Sequence, residues 1–271
     1  MSCSRVLDEK PGENNKLDLS LSVSKCKTFK DCKAKFYFSY IEKLPKKDWE
    51  HLTFGKFCHE ILELFYKKVL AGNTQPYNVI LSEAWKEAYL NWKPKLTKEN
   101  VSQAKEICTQ FLYQETTSKD KTVLAVEDQF YIDIDGKVLL NGLIDRVQLD
   151  NDGVIHVSDY KTTKNKKYLK NDFFQLLTYA FVMWLRDPTL KKVRGSYILL
   201  RHNLETIVTE FSVEEIKTVD PALLKYFESI KDEKLFRPNP TNLCKFCDYT
   251  DNCEAGKRFL GQTDRFGQED W

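Results

Sequence analysis

Asp159 and Lys161, two residues apart in VSDYKTTKN (157–165), and the earlier acid Asp145 are the side chains best suited to chemistry in this chain. Side chains two apart on a strand share a face, so Asp159 and Lys161 point together while Tyr160 points oppositely. If residues 151–153 form a three-residue hairpin loop with Gly153 at the left-handed position, residue 150 pairs with 154 and Asp145 falls opposite Asp159. A two-residue loop would shift that pairing by one and separate the acids. Adjacent carboxylates in apolar strands repel, and keeping both ionised is costly unless a cation sits between them. A hard divalent ion such as Mg2+ or Mn2+ removes the cost and prefers oxygen ligands. Lys161 could then hold an attacking water or stabilise charge on a phosphate. That is the apparatus of metal-dependent phosphodiester hydrolysis. The acid-x-lysine spacing decides nothing by itself, because it recurs at least six times in a chain that is 30% charged. Taken alone, it reads as a surface ion pair at a strand end.

Two further pairs bear on the same chemistry. His59 and Glu63 lie four apart in LTFGKFCHEILELFYKKVLAG, hence on one helical face, where a neutral imidazole can ligate a metal. A lone helical histidine is more often a packing or capping residue. Gln175 and Tyr179, four apart in NDFFQLLTYAFVMWLRD, put an amide and a phenol on one face, suited to hydrogen bonding or stacking on a nucleotide. A polar edge on a packed helix is the plain alternative.

The third constellation is LCKFCDYTDNCEAG, with Cys244, Cys247 and Cys253 spaced C-x2-C-x5-C after the turn FRPNP. Lys245, Asp248 and Asp251 make the loop polar, so these thiols do not read as core residues. Soft thiolates want zinc or an iron-sulfur cluster, and either needs a fourth ligand. Cys32 in DCKAKF is the candidate, and Cys26 the rival. The remaining cysteines, Cys3, Cys58 and Cys108, read as ordinary thiols, with Cys58 on the buried side of its helix.

The elements that must position these groups follow from periodicity. Apolar residues at Phe54, Phe57, Ile61, Phe65 and Val69, ended by Gly72, predict a helix with one buried face. A short aromatic helix precedes it, docking Phe36, Phe38, Tyr40 and Ile41, and a helical region over 76–118 follows. TVLAVEDQFYIDI, KVLLNGLIDRVQLD and VIHVSDYKT predict an antiparallel meander turning at Asp135–Gly136 and Asn151–Gly153. A helix over 171–187, a hairpin over 193–212 and a helix opened by Ser212, with an interruption at Pro221, complete a mixed α/β domain with helices packed on a curved sheet. Residues 1–18 read as a flexible leader, 19–260 as one domain and 261–271 as a tail.

At 271 residues and 42% hydrophobic content the chain can bury a sizeable core. A formal charge of +2 decides nothing about nucleic acid, although KTTKNKKYLK (161–170) could form a basic rim. No stretch is apolar for long enough to cross a bilayer, and the start has no secretory signal, so no membrane partner and an intracellular, cytoplasmic location are expected. In that compartment eight cysteines point to reduced thiols or metal ligands rather than disulfides.

GKFCH with Glu63 behind it, GLIDR, DYK and QLLTY occur in the order and rough spacing of the RecB-type nucleases, and the chain resembles that branch of the PD-(D/E)XK superfamily. The resemblance implies a restriction-endonuclease-like core. It also implies His59, Asp145, Asp159 and the Tyr160 carbonyl as metal ligands, Asp145, Asp159 and Lys161 as the catalytic set, and Glu63 and Arg146 in support. Gln175 and Tyr179 would help engage a DNA strand. The family often has a second acid soon after the GLIDR arginine, where this chain has Val147 and Gln148, so that position is taken as non-catalytic.

The cysteine pattern resembles the iron-sulfur subgroup, which includes AddB-type and CRISPR-associated nucleases. It implies a 4Fe-4S cluster, rather than zinc, on Cys32, Cys244, Cys247 and Cys253, stapling the chain ends together. The expected activity is therefore an Mg2+- or Mn2+-dependent exonuclease on single-stranded DNA with 5′ to 3′ polarity. A recombination, CRISPR adaptation or helicase partner is expected alongside. The competing expectations are a DNA-binding protein that delivers ends to a recombinase, helicase or integrase, and a zinc-binding interaction module.

Overall fold

The computed structural model describes residues 4–11, 19–47, 49–117, 121–169 and 172–263. Cys3, residues 12–18 of the expected leader, Lys170 of the basic run and residues 264–271 of the expected tail lie outside them.

The repeat at Phe54, Phe57, Ile61 and Phe65 becomes one stripe of α3 (Glu50–Leu70), with each side chain 1% exposed or less. Burying a side chain of this size stabilises by roughly 1.5–3 kcal/mol. Beyond α3, Gly72 turns the chain at φ +84. Helices α4 (Tyr77–Trp92) and α5 (Lys98–Thr117) cover α3 and complete one apolar layer with Tyr160 and Ile198 of the sheet and Leu200 just beyond it.

The opposite layer contains α1 (Val23–Asp31), α6 (Phe174–Arg186) and α8 (Val219–Asp232). Their Phe29, Leu176, Phe181 and Phe227 share a cluster with Phe130, Ile132, Leu140 and Val157 of the sheet. Helix α2 (Lys33–Phe36) runs into a π-helical turn, Tyr37–Ile41. Phe36 is buried as expected, but Ile41 is 51% exposed, because this turn carries it past the core.

Between the layers, the described residues form a seven-stranded mixed sheet. β3 (Lys121–Ile134), β4 (Val138–Asp150) and β5 (Ile155–Lys161) form the expected antiparallel meander. β6 (Lys192–Leu199) then joins β5 in parallel, with α6 as the crossover such a pair requires, and pairs with β7 (Glu205–Ser212) in the expected hairpin.

Two short strands are absent from the sequence reading. β1 (Arg5–Leu7) pairs with the outer edge of β3, so part of the expected leader is ordered by an open ladder that needs partners. β2 (Leu19–Leu21) runs parallel to the first half of β4, and at three residues it is too short for periodicity to reveal. The last helical stretch is also divided differently. A capping box at Ser212 and Glu215 opens a single turn, α7 (Val213–Ile216), and the break falls at Lys217–Thr218 rather than at Pro221. Pro221 stands in the first turn of α8, where a missing N–H leaves no helical bond unmade.

Candidate active site and cysteine cluster

The loop at residues 151–153 decides the register. Gly153 takes φ +76, Asp150 N–H donates to Val154 O at 3.1 Å, and Arg146 to Leu149 pair with Ser158 down to Ile155. Continued one step, that register sets Asp145 against Asp159. At this step the backbone ladder ends. β4 is paired with β5 over its second half and with β2 over its first, and Asp145 stands in the fork between them. Its Oδ2 accepts the Tyr160 N–H at 2.7 Å, so a side chain takes over a bond that a backbone carbonyl would otherwise receive.

His59 comes to the fork from α3. Its Nδ1 is 3.5 Å from Asp145 Oδ2 and its Nε2 is 2.9 Å from the Tyr160 carbonyl. The close approach of α3 depends on Gly55, where a Cβ would stand 3.0 Å from Thr162 Oγ1. Burial opposes a charge on His59, but the hydrogen bond and field of Asp145, with Asp159 and Glu127 adding, push it up to about 9.

Glu127 is the residue the sequence reading missed. It lies across from Asp145, between the pairs Val126–Arg146 and Asp128–Ile144, and its backbone takes φ +47. This conformation interrupts the alternation of β3: Phe130, Ile132 and Ile134 enter the α6 layer, whereas Val126 packs on the α3 layer. The signal available was the hairpin after Ile134, whose register pairs 134 with 138 and therefore brings 127 to 145. Burial, with Asp145 and Glu63 adding, pushes Glu127 up to about 7. Among the described residues, His59, Glu127 and Asp145 form the group whose ligating atoms all lie within 4.8 Å of one another.

Asp159 and Lys161 form a second half of the site, organised by Gln175. The amide Nε2 donates to Asp159 Oδ1 at 2.7 Å and Oε1 accepts Lys161 Nζ at 2.9 Å, the orientation required when an ammonium can only donate and a carboxylate can only accept. Lys161 Nζ is also 2.7 Å from Asp159 Oδ2, an ion-pair distance but off the direction of a hydrogen bond, which leaves this buried oxygen without a directional donor. Burial first, with Asp145 adding and Lys161 opposing, raises Asp159 to about 6.

Tyr179 is 5% exposed, packs edge-on to Phe130, and accepts a bond from Gln175 Nε2 at 2.8 Å. Its ring face is therefore unavailable for stacking, and it acts on the site through Gln175. Arg146 likewise faces away from the fork, where it donates to Tyr66 Oη at 2.8 Å beneath Tyr160. Glu63 lines the same cleft as His59 and pairs with Lys67. The cleft measures about 1080 Å3, and Lys56, Lys164 and Arg201 stand on its walls.

The cysteines gather elsewhere. Cys32 caps α2, and its Sγ accepts N–H groups of Lys35 and Asn239 at 3.5 Å. Cys244 Sγ accepts the Thr241 N–H and Cys253 Sγ the Gly256 N–H, each at 3.4 Å. With Cys247 they line one pocket, and a side chain at Gly256 would approach Cys253 Sγ to 3.5 Å. Cys26 is fully buried in the α1–α6 layer, where burial pushes its thiol up to about 12, so the geometry selects Cys32 as the fourth member. Cys58 and Cys108 pack in or against the α3 layer.

A family model described as the PD-(D/E)XK nuclease superfamily matches residues 20–254. One subunit of the ATP-dependent helicase/deoxyribonuclease of Streptococcus agalactiae, from serotypes III and Ia, is 25% identical over 232 residues, 80% of this chain and 21% of the relative. The chain thus spans about a fifth of the length of the curated relatives it matches. A solved Eubacterium rectale protein, provisionally described as an exonuclease, aligns over 92% of this chain and 93% of its own at 12% identity, with a TM-score of 0.48.

Proposed function

The chain belongs to the PD-(D/E)XK nuclease superfamily, and from that premise we propose that it is a metal-dependent DNA exonuclease. It hydrolyses phosphodiester bonds at single-stranded ends with 5′ to 3′ polarity. The observation that carries this reading is the meeting of His59, Asp145, Glu127 and the Asp159–Lys161 pair at one fork of the sheet, beside a cleft on whose walls Lys56, Lys164 and Arg201 stand.

The donor set fits a hard divalent ion. Octahedral ligands about 2.1 Å from Mg2+ stand roughly 3–4 Å apart, compatible with a trio held within 4.8 Å. His59, Asp145 and Glu127 would hold Mg2+ or Mn2+, with Asp159 and the Tyr160 carbonyl completing the set. Once bound, the ion would polarise the phosphodiester and ease deprotonation of the attacking water. The protein's own groups do the positioning. Tyr160 N–H fixes Asp145, and Gln175 and Asp159 aim the Lys161 ammonium at the charge that develops on the phosphate. The proton favoured on His59 in the carboxylate field must leave before the ring can ligate. Lys56, Lys164 and Arg201 offer charge to phosphates, and apolar side chains beside them suit a strand whose bases are unpaired.

We assign a 4Fe-4S cluster to Cys32, Cys244, Cys247 and Cys253. The support is the cysteine resemblance together with the backbone N–H groups directed at three of the sulfurs, of the kind that tune such centres. Zinc is the competing occupant of four thiolates. Protein purified anaerobically should be brown, and a colourless protein carrying zinc would overturn the assignment. The helicase/deoxyribonuclease relatives support a helicase partner. A CRISPR adaptation partner rests on the cysteine resemblance alone.

The test is cleavage of end-labelled single-stranded DNA with Mg2+, Mn2+ or EDTA, comparing anaerobically purified protein with Asp159→Ala. Metal-dependent shortening should fall at least about a thousand-fold in the variant. The order in which 5′ and 3′ labels disappear reports polarity. Binding without cleavage by the cluster-loaded protein would overturn the reading in favour of an end-delivery role.

A further inference from the structure

The cysteine segment reaches the active-site cleft. Around Cys244 the chain makes a tight turn, Asn242–Phe246, that leaves Phe246, the residue before Cys247, 53% exposed. Scattered exposed apolar residues are ordinary, but this ring lines the same cleft as Asp145 and Lys161. Trp49 backs it, with ring centroids 6.4 Å apart at 66°, and Lys245 Nζ lies 5.2 Å from its centroid. The brace is itself fixed, because the Trp49 indole N–H donates to Asp248 Oδ1 at 2.6 Å. The turn is held as well. Thr241 caps it, and Thr250 Oγ1 donates to the carbonyls of Cys244 and Cys247 at 2.6 and 3.1 Å. A half-exposed ring with a cation over one face, mounted on the wall of a cleft that also carries Lys56, Lys164 and Arg201, is the kind of surface on which an unpaired nucleic-acid base stacks.

We propose that Phe246, braced by Trp49, is a stacking platform for an unpaired base of the DNA strand entering the cleft. The cysteine segment thereby builds part of the substrate site besides joining the ends of the chain. This role rests on the nuclease reading and extends it to how single strands are distinguished from duplex. Inside a duplex the base faces are occupied by their neighbours, so away from an end the platform has nothing to receive.

The experiment is fluorescence anisotropy of a labelled single-stranded oligonucleotide in EDTA, where no cleavage occurs, using the full chain with its cysteine site loaded. Phe246→Ala should weaken binding about ten-fold or more, and Phe246→Trp should restore it. Affinity for duplex, read as competition by a covalently closed circular duplex that has no ends, should change less than about two-fold. Phe246→Leu keeps apolar bulk without a π face, and it serves should the alanine variant fold poorly. Loss with leucine supports stacking, and wild-type affinity with leucine overturns it, as does equal weakening for strand and duplex. If the wild-type protein binds no single strands, the nuclease reading falls with the platform. If it binds and cleaves them regardless of position 246, only the platform falls.

Discussion

Among the described residues, the sheet fork and the cysteine segment, two places where candidate ligating side chains gather, are built in opposite ways. At the fork, His59, Glu127, Asp145 and Asp159 arrive from one helix and three strands, the strands aligned by hairpin register and the helix brought to them by packing. Their charges are in conflict: burial and mutual repulsion raise Glu127 to about 7 and Asp159 to about 6, while the same acids raise His59 to about 9. In the cysteine segment, three of four members come from one short stretch of turns, and the fourth caps a nearby helix. The Cys247 thiol there is pushed up, chiefly by its half-burial. A site left electrostatically unsatisfied is poised to take up a cation and do chemistry. One made of local turns and thiols is suited to clamp distant segments, and the proposed cluster would join α2 to the chain after α8.

The sharpest way to break this contrast is Cys253→Ala. Loss of the clamp should lower the melting temperature by more than about 5 °C while Mn2+ affinity at the fork, read by calorimetry, stays within about two-fold. An unchanged melting temperature would remove the structural role. Gln175→Ala tests the other half. It frees Lys161 and Asp159 from their shared brace, so single-turnover cleavage should slow about ten-fold with little change in melting temperature.

The smallest effect concerns Glu127, whose folded pKa is raised above its ordinary 4.5 to about 7. The fold favours its neutral form. Metal-free protein should therefore lose stability as pH rises from about 4.5 through about 7, and Glu127→Gln should flatten that part of the profile. Below pH 4.5 the two proteins should melt together, and at pH 8 in EDTA the variant should melt a few degrees higher. Coincident profiles at both ends would show that Glu127 does not share the field of the fork.

Much of this was legible in the residues. The stripe of α3, the meander and the three-residue turn at Gly153 are local patterns, and the turn alone places Asp145 against Asp159. Glu127 was not legible from alternation, because a left-handed residue within a strand inverts the faces that a period of two assigns. Tyr179 shares a helix face with Gln175 as its spacing requires. That the face is covered by Phe130 depends on how α6 lies on β3.

The sequence by itself determined which side chains are available and how neighbours along one element are oriented, since helical and strand periods are properties of the local backbone. Which of Cys26 and Cys32 joins the other thiols, that His59 reaches Asp145, and that Phe246 lines the active-site cleft follow from the packed fold. Those are distances between segments far apart in the chain, and they are fixed by packing two helical layers on one sheet.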